Sequence, residues 1–226
     1  MQDKESLKEE YRLTFPGWSE EQLDEYSSIM AAKYSTIKKG PNVIHLEYYG
    51  GLIDNNDISE IEANISTLGL QLSRFDKNGV AYASIHDFTL QVALFLSDPI
   101  VQTILLGVGT NALWDSIKAS SLLVWRRLKQ RVWHLPENER RLKINFGLKV
   151  RIDAENFFDL KLDGEADEET TLQALDKALE LIKSVKDIQA KSRNKFFIYD
   201  KKKGWIEINI REELMKKAEQ SSKKGK

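Results

Sequence analysis

The sequence contains no cysteine in its 226 residues. This absence excludes disulfides, thiol catalysis, Cys-ligated zinc and iron–sulfur clusters, and it fits a reducing compartment. Histidine is also scarce, since the chain has only His45, His86 and His134, none at metal-ligand spacing from another ligand residue. We therefore expect neither a metal nor a cofactor.

Neither sign of charge is in excess, because 34 Lys and Arg balance 35 Asp and Glu to a net charge of −1. Such a chain has no global field that would attract nucleic acid or acidic substrates. The N-terminus lacks the basic and apolar regions of a secretory signal. These features favour a cytoplasmic, prokaryotic protein.

Recognised catalytic motifs are missing as well. The chain has no G-x-S-x-G nucleophile elbow. Gly107-Val108-Gly109 lacks the third glycine and the Lys-Ser/Thr of a phosphate-binding loop. We therefore expect a protein that is not an enzyme.

What the chain does have is an apolar run, residues 88–114, in which Asp98 is the only charged residue among 27. The run also divides the charges: residues 1–110 hold 8 basic and 16 acidic residues, whereas residues 111–226 hold 26 basic and 19 acidic ones. A run of this kind must be buried against protein or lipid.

The run predicts one long helix. Ser97 and Asp98 followed by Pro99 are typical of a helix start, and the helix is predicted to continue to about Gln130. Small or polar residues recur every four positions along it, and glycines in such a line permit close approach of a second helix. The predicted lining of an oligomer seam or pore is Thr103, Gly107, Asn111 and Asp115, and the apolar contact residues are Ile100, Ile104, Leu105, Val108 and Trp114.

Three alternatives remain for what buries this helix. The first is the protein's own core or a soluble homo-oligomer, the second is a membrane in which several copies form a pore, and the third is the groove of a partner protein. The length opposes the membrane, because residues 99–114 give 16 uncharged positions and a spanning helix needs about 20.

The flanking regions predict two small antiparallel α/β units, so the expected fold class is α+β. Residues 41–87 predict a β-α-β-β unit whose helix starts with a capping box of Asp57 and Glu60. Residues 141–212 predict a β-β-α-β-β unit, since LKINFGLKVRID alternates without a fault. Residues 88–135 form the apolar helical segment between the units, and residues 213–226 form a charged flexible tail.

Residues 1–40 predict an N-terminal helical appendage. Ser19 and Gln22 make a capping box that starts a helix ending before Gly40. Its apolar positions form a narrow stripe of coiled-coil type, which is expected to dock on the fold or on a partner. These positions are Leu23, Tyr26, Met30, Tyr34 and Ile37.

A basic stretch, residues 126–143, follows the apolar segment with seven Lys or Arg and two Glu. Cations interleaved with aromatic rings suit single-stranded nucleic acid, but arginines at the polar side of an amphipathic helix give the same pattern. The candidate patch is Arg126, Arg127, Lys129, Arg131, Trp133, Arg140 and Arg141.

The function that these patterns favour is that of a non-enzymatic interaction protein, which self-associates or binds another protein through residues 99–125. The first alternative is a membrane-inserting oligomeric effector or ion pore that uses the same segment. The second is a nucleic-acid-binding accessory protein that uses the basic patch. The expected location is the cytoplasm, with association at the inner face of the membrane under the first alternative.

Overall fold

A computed structural model describes residues 3–80, 89–106, 110–132, 143–152, 157–184, 194–209 and 212. These residues form six helices and seven strands, and the fold class is α+β, as predicted. In chain order the elements are α1 (Lys4–Thr14), α2 (Glu20–Ser35), β1 (Val43–Tyr48), α3 (Asn55–Ser66), β2 (Gln71–Asp76), β3 (Thr89–Leu96), α4 (Asp98–Leu106), α5 (Thr110–Val132), β4 (Lys143–Arg151), β5 (Phe157–Asp163), α6 (Glu168–Ser184), β6 (Asn194–Asp200) and β7 (Gly204–Ile208).

The strands form one mixed sheet in the order β2-β1-β3-β4-β5-β6-β7. The pairs β1–β2, β3–β4 and β5–β6 are parallel, and the pairs β1–β3, β4–β5 and β6–β7 are antiparallel. This corrects the expectation of antiparallel units. Each parallel pair is joined by a helical crossover, which returns the chain to the end of the sheet where it started.

The apolar run contains a strand and parts of two helices. Its first third is β3, which lies between β1 and β4, and Val92, Ala93 and Leu94 are all fully buried there. Such burial on both faces explains why the segment shows no alternation. Within the predicted helix from 99 to 130 the structure describes α4 up to Leu106 and α5 from Thr110, and residues 107–109 lie outside the described residues.

The main core lies between one face of the sheet and the helices α3, α4, α5 and α6. Alternate strand residues point to this face, as the period of two requires. The strand side chains in this core include Ile44, Leu46, Leu72, Val92, Leu94, Leu96, Phe146, Leu148, Val150, Phe158, Leu160 and Leu162.

The three crossovers do not share one hand. β1–α3–β2 and β3–α4–α5–β4 start on antiparallel strands and move toward opposite edges of the sheet, so their hands agree. The crossover β5–α6–β6 runs toward the same edge of the sheet as the crossover from β3 to β4. Its strands, however, point in the opposite direction, because β5 is antiparallel to β4. Because α6 packs on the same face as α5, its hand is opposite to that of the other two. Nearly all crossovers in proteins share one hand, the right-handed one. The opposite hand of the α6 crossover places α6 on the core face of the sheet and not on the second face, which is the one opposite α3, α4 and α5.

Helices α1 and α2 form a hairpin with a small core of its own. The capping box of Ser19 and Gln22 is confirmed. Leu23, Tyr26 and Met30 are buried in this second core, and their packing partners on α1 are Leu7 and Tyr11.

The hairpin docks on the second face of the sheet, over β2. Tyr34 stacks on Phe75 with ring centroids 5.3 Å apart, and Lys33 Nζ donates to the Asp76 carbonyl at 2.9 Å. Ile37, which was predicted to belong to the docking stripe, lies beyond the end of α2 at Ser35. One edge of the second face is therefore covered by helix.

We predict that Leu23→Ala lowers the free energy of unfolding by about 3 kcal/mol, since the side chain is 1% exposed and its loss leaves a cavity. Urea denaturation followed by circular dichroism measures this change. The control Leu13→Ala removes a side chain that is 85% exposed and should change stability by less than about 0.5 kcal/mol. Equal losses in both variants would contradict the packing of α2 on α1.

Helix α6 starts at a carboxylate cap. Asp167 Oδ1 accepts from the Thr170 N–H at 2.6 Å, and Lys201 Nζ lies 3.2 Å from Asp167 Oδ2. Hydrogen bonds from the Thr170 hydroxyl and N–H, together with Lys201, lower the pKa of Asp167 from 3.8 to about 2. The ionised carboxylate therefore stabilises the folded state wherever it is charged in the native protein.

A carboxyl whose pKa is lowered by folding contributes stability above its unfolded pKa, and this contribution is lost as the pH falls through its folded pKa. For Asp167 the window runs from pH 3.8 down to about 2. We predict that the stability difference between wild type and Asp167→Asn is constant above pH 4 and shrinks toward pH 2. Urea midpoints measured across this range would contradict the cap if the difference stayed flat.

Candidate functional site

The polar residues predicted to line an oligomer seam are divided between two helices. Thr103 on α4 and Asn111 and Asp115 on α5 are exposed, and the Thr103 hydroxyl donates to the Pro99 carbonyl at 2.9 Å. Gly107 lies outside the described residues. The oligomer seam therefore stays a prediction, with its three described members exposed.

The apolar residues predicted to contact a partner or lipid are mostly inside the protein. Ile100 and Trp114 are each 2% exposed and Ile104 is fully buried, all within the main core. Leu105 is partly buried against the same core, and Val108 lies outside the described residues. Their outward placement is thus corrected, because the chain's own sheet and helices cover them. In the described part of the chain, no helix has both the length and the apolarity needed to cross a membrane.

The basic patch at the end of α5 is paired within the chain. Arg126 Nε donates to Glu168 at 3.1 Å. Lys129 Nζ donates to the Ala166 carbonyl at 2.6 Å and lies 4.6 Å from the centre of the Trp125 ring. The other two described members of the patch, Arg127 and Arg131, reach acidic residues of α3, as given next. Trp133, Arg140 and Arg141 lie outside the described residues.

Two arginines of α5 and three acidic residues at the start of α3 form what we call the Asp57 cluster. Asp57 Oδ1 lies 2.9 Å from Arg127 Nε, and Asp57 Oδ2 lies 2.8 Å from Arg131 Nη1. Arg131 Nη2 also lies 2.6 Å from Asp54 Oδ2, and Arg127 Nη2 lies 3.4 Å from Glu60 Oε2. The acidic and basic halves of the sequence therefore meet within one chain.

Asp57 also caps α3, so the predicted box of Asp57 and Glu60 is shifted by one turn. Asp54 accepts from the N–H groups of Asn56 and Asp57, and Asp57 accepts from the Asp54 N–H. The sequence offers both D-x-x-D and D-x-x-E at this spacing, and the first forms the box. Asp57 is 4% exposed in its side chain, and a buried carboxylate needs such compensation by cations and helix N–H groups.

We predict that Asp57→Ala lowers the free energy of unfolding by about 3 kcal/mol, because it leaves two guanidinium groups without their shared carboxylate. The matched control is Glu60→Ala, whose side chain is 53% exposed and whose loss should cost less than about 1 kcal/mol. Urea denaturation measures both. Similar small losses would show that the cluster does not join α3 to α5.

We call the face of the sheet opposite α3–α6 the outer face. Of the described helices, those that pack substantially on β4 to β7 are α4 and α6, which lie on the core face. The strand register sets its side chains in rows across the sheet. One row runs from Phe95 through Lys149, Asp159 and Phe196 to Ile208, and the next from Ala93 through Gly147, Lys161 and Ile198 to Ile206.

The β5–β7 end of the outer face is apolar, and we call it the edge patch. Ile198 and Ile206 are direct cross-strand partners and are 40% and 37% exposed. The Phe157 and Phe196 rings pack edge to face with centroids 5.8 Å apart. Contiguous exposed apolar surface of this kind marks interaction sites. The edge patch is Phe157, Phe196, Ile198, Ile206 and Ile208.

A band of charge lies beside the edge patch. Glu47 Oε2 lies 3.2 Å from Lys149 Nζ and 3.5 Å from Lys77 Nζ, and Lys161 Nζ lies 3.9 Å from Asp159 Oδ2. Burial would raise the pKa of Glu47, but Lys149 and Lys77 outweigh it, so the pKa lies below its ordinary value. Burial lowers the pKa of Lys77, and Glu47 opposes this shift. The band separates the edge patch from the α1–α2 hairpin.

Sequence reasoning identified the strands of the edge patch but not the patch itself. The last two strands of the β-β-α-β-β unit predicted for residues 141–212 correspond to β6 and β7. Their alternation shows that they have two faces. It does not show which face is covered, because that depends on the hand of the α6 crossover.

No family model, no curated protein and no solved structure matches the chain. Within the described ranges, no group of three or more His, Asp or Glu residues is placed to hold a metal ion.

Proposed function

We propose that this protein is a non-enzymatic interaction protein that associates with a protein partner through the edge patch. The observation that carries the proposal is the pair of isoleucines, Ile198 and Ile206, which lie side by side and exposed on a sheet face. The partner surface predicted from the sequence, residues 99–125, has most of its apolar side chains in the protein's own core. The proposed function is therefore still protein interaction, but the contact surface is the edge patch and not residues 99–125.

A change from charged to apolar side chains along a single row supports the edge patch as the contact surface. In the row that ends at Ile206, Lys161 occupies β5 and isoleucines occupy β6 and β7. Strand positions that face only water are ordinarily polar, so isoleucine at the end of this row is unusual for a solvated surface. An apolar centre beside a polar rim is the usual arrangement of a protein interface.

The patch is also held in place before any partner arrives. The Phe157–Phe196 contact fixes the β5–β6 side, and Trp205 Nε1 donates to the Ala174 carbonyl at 2.9 Å, which ties β7 to α6. A rigid surface loses little conformational entropy on binding. The edge patch can therefore bind without rearrangement.

Photo-crosslinking in cells that express the full chain tests the proposal. We predict that a photoactivatable side chain at position 198 yields a covalent adduct with a protein, and that adding Ile206→Ser reduces its yield. The same probe at Leu106, which is 71% exposed on α4, is the matched control. An adduct at 106 without one at 198 would overturn the proposal and return the contact to residues 99–125.

A further inference from the structure

β7 ends the sheet. In the described part of the chain it pairs with β6 on one side only, so its outer edge presents main-chain groups to a further strand. Native edge strands are ordinarily protected by proline, lysine, a bulge or a covering element. Gly204–Ile208 contains neither proline nor lysine. The opposite end of the sheet differs, because the α1–α2 hairpin packs over the face of β2 through Tyr34 and Phe75.

We propose that β7 pairs with β7 of a second copy of this chain, antiparallel and about a two-fold axis at Ile206. The inference rests on the proposed function and names the partner that the edge patch takes. The result is a continuous sheet across two chains, with the self-complementary surface that two-fold dimers require.

Charge and strand length select this register. Centring the pair on Ile206 aligns all five residues of β7, with Trp205 opposite Glu207 and Gly204 opposite Ile208 of the second copy. Centring it on Glu207 would set two carboxylates directly opposite, which destabilises a strand pair. In the chosen register Glu207 keeps its ion pair with Lys195 at 2.9 Å.

Shape favours the same arrangement. Ile206 then meets its counterpart across the axis, and the row becomes Ile198, Ile206, Ile206, Ile198 over four strands. The two edge patches merge into one, with the charged bands at its outer limits.

The absence of cysteine makes the register directly testable. Opposed residues of an antiparallel pair have Cα atoms about 4.5–5.5 Å apart, within the range of a disulfide. In purified full-length Ile206→Cys, mild oxidation should give a disulfide-linked dimer at least about tenfold faster than in Ile198→Cys or Leu106→Cys. The two copies of residue 198 would be about 14 Å apart, three strand spacings, which no disulfide bridges.

A second variant tests association without a disulfide. Ile206→Glu sets two carboxylates at the axis on an exposed position, so the chain should fold normally by circular dichroism. We expect the wild type to show a sedimentation coefficient that rises with protein concentration, and the variant to lose this rise. Leu13→Glu, at a residue 85% exposed on α1, should keep it.

The outcomes separate this inference from the proposed function. Equal oxidation rates in the three cysteine variants, or a wild type that stays monomeric, would overturn pairing through β7. In that case an adduct from position 198 to a different protein would still support the edge patch as the interaction site. The absence of any adduct would overturn both.

Discussion

The structure depends on one constraint: all its crossover helices bury their apolar sides against the same face of a single sheet. α3, α4 and α5 lie there through two crossovers of one hand, and α6 lies there only because the third crossover has the opposite hand. The strand residues that alternate toward this face form the main core. Among the described residues, the other face carries the α1–α2 hairpin at one edge and polar and apolar strand side chains elsewhere.

The charges follow the same arrangement. The acidic first half and the basic second half of the sequence meet where α3 lies beside α5, and the buried Asp57 carboxylate is compensated there by Arg127 and Arg131. A buried charge is costly unless it is paired and hydrogen-bonded. The basic end of α5 therefore holds two crossover helices together. Of the described patch, Arg126, Arg127 and Arg131 form ion pairs with carboxylates of the same chain.

The outer face carries the side chains that are available for contact with a partner. Its rows pass from a balanced band of charge around Glu47 and Lys149 to the isoleucines of the edge patch. The band is largely neutralised by its own ion pairs, so apolar contact is what this surface offers. Because β7 is both the border of the patch and the border of the sheet, main-chain pairing and side-chain burial can act on the same partner.

Local signals were sufficient for much of the architecture. The capping box of Ser19 and Gln22 and the alternation of β4 involve residues a few positions apart, so their elements can be identified from the sequence. The sequence by itself also determined the absence of thiol chemistry. Only the tertiary structure decided that residues 89–96 form a central strand, that Ile100, Ile104 and Trp114 are core, and that Ile198 and Ile206 are exposed. Those properties depend on strand order and crossover hand, which arise from contacts between distant residues that no local pattern encodes.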